Sequence, residues 1–209
     1  MAKIIVKDSK NATEFKQIPP GAHFAICNAV IELGLQPGFD GGRSQQKIYV
    51  RWEVSDERVE FNRDGVTIEG PMSIGKMYTM SLNEKASLRA DLENWRGKAF
   101  TEQELGGFDV ANLIGKSCQL MIVHAEAKGK TYANVKGVMG VSKDQRERAR
   151  TANLENKPLL FSIADWDQST YEAIPQWLRE KILNRLDDKA MTATVATVAT
   201  PDFDDSIPF

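Results

Sequence analysis

The stretch "GKMYTMSLNEKASLRADLENW", residues 75–95, changes character halfway along, and that change decides how the chain is read. Its first eight residues read as a strand. From Asn83 onward, Ala86, Leu88, Leu92 and Trp95 recur at near-helical spacing, with Asn83 placed to cap the N-terminus and Gly97 just beyond the last residue. Upstream, "KIYVRWEV" (47–54) alternates, with Ile48, Val50, Trp52 and Val54 on one face and Lys47, Tyr49, Arg51 and Glu53 on the other. This pattern predicts a strand with one buried and one wet face. Before it, "HFAICNAVIEL" (23–33) is a long β-run, and the glycine-rich "GLQPGFDGGRSQQ" (34–46) forms the loop between the two. "ERVEFNRDGVTIEGPMS" (57–73) carries the turn pair Asp64-Gly65 and reads as a hairpin-like excursion. Downstream of the helix, "KSCQLMIVHAEA" (116–127) and "TYANVKGVMGVS" (131–142) are two more strands, joined by Lys128-Gly129-Lys130.

Three strands, a helix, then two strands is the element order of a five-stranded Greek-key barrel of the oligonucleotide/oligosaccharide-binding (OB) type, whose helix lies between strands three and four. The pattern alone also leaves open a small mixed α+β sheet with one covering helix. The expected fold class is mainly β, an OB-fold over residues 1–143. A C-terminal extension with a helical segment follows over 144–188, then a disordered tether and acidic tip over 189–209. In the extension, Pro175 suits a first-turn position and Trp177, Leu178, Ile182 and Leu186 form a partly apolar stripe, for packing on the barrel or on a second copy of the chain as a homo-oligomer.

An OB barrel binds on the face of strands two and three, flanked by its first-to-second and fourth-to-fifth strand loops. Single strands are held there by cations that follow phosphates and by planar side chains that stack on bases. The second strand supplies Lys47, Tyr49 and Arg51 at a spacing of two; the fifth supplies Tyr132, Asn134 and Lys136; the loops supply Phe39, Arg43, Lys128 and Lys130. Trp52 and Tyr78 share faces with apolar neighbours and are read as core.

The composition fits a non-enzymatic, intracellular protein. A chain of 209 residues with 42% hydrophobic residues can bury one main core. No window approaches the run of about 18 apolar residues that a membrane span needs, and the N-terminus lacks a signal-type apolar run, so a cytoplasmic location is expected, in the host if the source is a phage. Cys27 and Cys118 lie inside apolar runs and read as buried free thiols. Residues 1–143 hold 19 Lys and Arg against 17 Asp and Glu, whereas residues 144–209 hold 8 against 12, so the acid is concentrated late. His23 and His124 lack metal-ligand spacing, no phosphate loop or nucleophile motif occurs, and Asp165 and Asp167 sit where a helix would be capped. No cofactor, metal or catalytic residue is assigned.

The final residues, "PDFDDSIPF" (201–209), set three aspartates before an apolar end. This closely resembles the acidic C-terminal tip of bacterial single-stranded DNA-binding proteins, which ends in aspartates followed by Ile-Pro-Phe, and departs from it at Ser206, where a further acid is usual. In that family the tip docks on replication, repair and recombination proteins. The resemblance implies the same role for Asp202, Phe203, Asp204, Asp205, Ile207, Pro208 and Phe209. Upstream, "KAMTATVATVATP" (189–201) is a low-complexity tether spanning about 20 Å root-mean-square. The stretch "LENWRGKAFTEQELGGFDVANLIGKSCQLMIVHAEAKGKTYANVKGV" (92–138) resembles phage-encoded single-stranded DNA-binding proteins. Two functions follow as expectations. One is a single-stranded DNA-binding protein that acts in phage replication, recombination and repair and recruits partners through its tip. The other is an OB-fold adaptor that binds protein and decoys host factors.

Overall fold

The computed structural model describes residues 16–38, 41–63, 65–127 and 129–187. The chain is mainly β. Its strands are β1 (Gly21–Gln36), β2 (Gln45–Arg63), β3 (Val66–Thr79), β4 (Ser117–Ala127), β5 (Lys130–Met139) and the short β6 (Leu159–Phe161). Among the described residues the α-helices are α1 (Ser87–Arg96), α2 (Glu102–Leu105), α3 (Arg146–Thr151), α4 (Gln168–Ala173) and α5 (Gln176–Leu183).

The first five strands form a curled antiparallel sheet in the order β3-β2-β1-β4-β5. Its outer strands, β3 and β5, come close to each other, and no ladder joins them among the described residues. β1 organises the whole. One of its edges pairs with β2 over Ile26–Gln36, while the other pairs with β4 over Gly21–Ile26 and, once β4 has parted from it, with β6 in parallel over Ala29–Ile31. β2 and β3 form one long hairpin of 19 and 14 residues that turns at Gly65, whose φ of 82° suits a residue without Cβ. The excursion expected over 57–73 is therefore the far half of this hairpin, kinked by a bulge between Val54 and Arg58.

Two cores lie on opposite sides of the sheet. Inside the curl, Cys27, Val30, Val50, Trp52, Leu120 and Ile122 are buried beneath Leu88 and Leu92 of α1. Trp52 and Tyr78 belong here, as their strand faces predict. Trp95 tilts against Trp52 with ring centroids 6.2 Å apart and donates from Nε1 to the Ser117 carbonyl at 2.8 Å. The helix starts at Ser87 rather than at Asn83, whose side chain instead caps the preceding turn by accepting from the Lys85 N–H, and Gly97 ends it at φ 68°.

The second core corrects the reading of β2. The face expected to be wet is covered by the C-terminal segment: Ala29, Ile31 and Leu33 of β1 pack against Phe161, Tyr171, Ile174, Leu178 and Ile182, and Tyr49 and Met77 join them. Burial of this second face is why the β1 sequence is apolar almost without interruption. The segment docks on its own sheet as one strand and two short helices, and α5 buries Leu178 and Ile182, one turn apart, while Trp177 faces outward.

Candidate nucleic-acid interface

The segment is anchored by a buried carboxylate. Glu53 is fully buried, and its oxygens accept from the backbone N–H of Glu155 at 2.7 Å and of Asn156 at 3.1 Å, from Asn156 Nδ2 at 2.8 Å and from Asn28 Nδ2 at 3.4 Å. The oxygen of the Asn28 amide, Oδ1, accepts from Arg51 Nε at 2.9 Å. Asn28 sits in the bulge between Cys27 and Ala29, which turns it into position to bridge two residues of β2. A second tie joins α3 to the sheet: Arg148 donates to both Asp56 oxygens at 2.7 and 2.6 Å and stacks on Phe24 with its guanidinium 4.2 Å from the ring centroid.

These ties fix the surroundings of the second-strand candidates. Lys47 donates to Gln45 Oε1 at 2.8 Å and to Thr79 Oγ1 at 2.7 Å and is half-buried. Tyr49 is not an open stacking platform. Its ring lies over Gly75, where a Cβ would run into it, and meets Trp177 edge-on at 5.3 Å; burial raises its phenol pKa above the ordinary value. The aromatic exposed at this place is Trp177, 47% accessible. Arg51 lines a cleft of about 340 Å³ between the sheet and the C-terminal segment, with Ser73, Asn156, Lys157, Leu160 and Thr170 also in its walls. Burial lowers the Arg51 pKa, against the opposing pull of Tyr49 and Glu53, and among the described residues its two Nη groups have no protein partner.

The fifth-strand candidates are open. Tyr132, Asn134 and Lys136 are all exposed, Tyr132 by 47%, while Ala133 and Val135 between them face inward. Tyr132 lines a second depression, of about 210 Å³, where β5 nears β3 and Lys16, Met72, Ser73 and Ile74 stand opposite. Ser73 belongs to both depressions. The fold thus brings Arg51 and Tyr132, 81 positions apart in sequence, onto one surface path that crosses β3 at Ser73. Arg43 and Lys130 are exposed in or beside the flanking loops. Phe39, Lys128 and the tip residues Asp202 to Phe209 lie outside the described residues.

Sequence reading missed Lys157 and Trp177 as surface groups of this region. A signal for Trp177 exists: it lies about 100° around the helix from Leu178, and the one-turn spacing of Leu178 and Ile182 fixes the fully buried line, which leaves Trp177 at its margin, half exposed and against Tyr49. Lys157 carries no comparable signal, because its place depends on the docking of residues 155–161. Neither the protein-family models nor the curated proteins give a match to this chain.

Proposed function

We propose that this chain binds single-stranded DNA, with little sequence preference, on an OB-type barrel, and recruits replication, recombination and repair proteins through its C-terminal tip. The observation that carries the reading is the strand order β3-β2-β1-β4-β5 with α1 between β3 and β4, the Greek-key order of that barrel, with its two end strands drawn together. The path from Arg51 over Ser73 to Tyr132 crosses the face where such barrels hold single strands, and it offers the two elements such binding needs, a cation and an exposed ring. The resemblance of "DFDDSIPF" to the tips of bacterial single-stranded DNA-binding proteins supports the recruiting role: a phenylalanine behind aspartates can fill an apolar pocket while the acids meet a basic rim.

The deciding test is an anisotropy titration of a fluorescent oligo-dT at rising salt. Binding that weakens linearly in log–log form, with slope near −0.7 for each phosphate contacted on a single strand, supports the reading. No binding at low salt, beside capture of proteins by the barrel alone, favours the adaptor instead. For the tip, Phe209→Ala should abolish pull-down of replication and repair proteins from bacterial lysate and leave oligo-dT affinity unchanged.

A further inference from the structure

The cleft between the sheet and the C-terminal segment holds a guanidinium with unused donors, and its second wall comes from residues that no barrel of five strands would supply. We propose that this cleft is a phosphate subsite, in which one backbone phosphate of single-stranded DNA sits between Arg51 and Lys157 while the adjoining sugar and base lie against Leu160 and Pro158. The inference rests on the function proposed above and deepens it by assigning part of the DNA path to the C-terminal segment.

Three observations carry it. Arg51 is held at Nε by Asn28, which aims a planar fork whose two Nη groups remain available, and a fork of this kind matches the oxygens of a phosphate. The Glu53 carboxylate nearby does not take those donors, because it is already satisfied by two backbone N–H groups and two amides. The walls add the exposed Lys157 and the hydroxyls of Ser73 and Thr170 beside the apolar Pro158 and Leu160, the last 51% exposed, which suits an anion attached to something less polar. The cleft also shares Ser73 with the depression lined by Tyr132, so a chain that leaves the cleft across Ser73 can carry its next bases to an open ring. An isolated small anion would have no use for that continuation.

The test uses the full chain. Cys27 and Cys118 are both fully buried, so a bimane reagent can be directed to Ala173→Cys on the cleft wall. Adding oligo-dT should shift bimane emission with the same midpoint as the anisotropy titration. Lys157→Ala should lower the salt slope by about 0.7, one phosphate on a single strand, whereas Lys85→Ala, the same loss of charge beside α1, should leave the slope unchanged. Lys157 is exposed, so circular dichroism should show both variants folded as the parent. If the parent binds oligo-dT while the bimane stays silent and Lys157→Ala keeps the parental slope, the subsite is wrong and DNA binding on the barrel stands. If the parent does not bind at all, the function and the subsite fall together. A bimane that responds to the free peptide PDFDDSIPF but not to oligo-dT would assign the cleft to a carboxylate ligand and overturn the proposal.

Discussion

The two cores of this protein share one strand and differ in almost everything else. The inner core is enclosed by five strands and roofed by α1, and Cys27, Cys118, Leu120 and Val54 within it have no accessible surface. The outer core rests on a three-residue strand and two helices of six and eight residues, lies beside a polar network around Glu53, and opens at its margin into a cleft. Long-range ladders hold the first, whereas a short parallel pairing, the Glu53 clamp and further side-chain hydrogen bonds from Glu32 and Gln36 hold the second. Regions with few ladder bonds and short elements open before the rest of a domain. The outer core is therefore the part expected to move, and it forms one wall of the proposed DNA path.

Cavity-making substitutions give the largest expected effects and separate the two cores most directly. Leu120→Ala and Leu178→Ala each remove a fully buried leucine and should each cost about 2–5 kcal/mol. The cysteines report which core has opened, because both belong to the inner one, where burial pushes the Cys27 thiol up to about 12. Leu120→Ala should speed reaction with a thiol reagent in proportion to its loss of global stability. Leu178→Ala should free the amides of 159–183 to exchange while the thiols stay protected. Equal thiol exposure in both variants would show that the cores open as one unit.

Next in size is the clamp. Glu53→Ala leaves two backbone N–H groups and two amides without their acceptor, and should cost about 3 kcal/mol in urea unfolding at neutral pH. Glu53→Gln keeps the shape but faces donors with donors, so it should recover little of that loss. Full recovery by glutamine would mean that packing, not charge, holds the segment down.

The tyrosines sharpen the comparison at the binding surface. Tyr132→Ala should weaken oligo-dT binding by about 1–3 kcal/mol with unfolding unchanged. Tyr49→Ala should instead lower stability, since its ring fills space between Gly75 and Trp177. A loss of affinity without a loss of stability for Tyr49→Ala would show that the outer core lifts off to expose it when DNA binds.

The smallest effect belongs to the exposed tie. The Arg148 guanidinium holds the Asp56 carboxyl below its ordinary value, so the pair stabilises the fold above the unfolded-state pKa and is lost as pH falls through the lower folded-state value. Both partners are more than a third accessible, so Asp56→Asn should cost about 1 kcal/mol or less at pH 7, and the difference from the parent should shrink as pH falls below the ordinary carboxylate range. A difference from the parent that persisted in acid would implicate packing of Arg148 on Phe24 instead of charge.

The order of the five long strands and α1 was legible in the sequence because each of those transitions has a local cause, whereas α2, α3, α4 and the three-residue β6 were not. The spacing of Leu88 and Leu92 marks α1, Gly97 stops it, and Gly65 turns the β2–β3 hairpin. What also could not be read was which strand faces the C-terminal segment would cover. Lys47, Tyr49, Arg51 and Glu53 have the polar alternation of a solvated face, and only backbone donors more than 100 positions away make Glu53 a buried residue. The unbroken apolar run of β1 was the available hint, since a strand with one wet face would have alternated. Of the binding candidates, Tyr132, Asn134 and Lys136 are open as their period predicts, whereas Tyr49 is not, because local period says nothing about a distant helix.

The double duty of β1 also shapes how the chain can be made. Residues 21–36 are synthesised well before the groups that cover Ala29, Ile31 and Leu33, which extend to Ile182. At about 5–20 residues per second, that apolar face waits roughly 7–30 s for its cover. During this interval the nascent strand presents an edge and a greasy face to any neighbour. Two polar residues stand guard within it: Asn28, and Glu32, which later accepts from Ser162 Oγ and the Ile163 N–H. Side chains that tie down the finished C-terminal segment thus also protect β1 during synthesis, so replacing either with an apolar residue should lower soluble yield more than it lowers the stability of protein already folded.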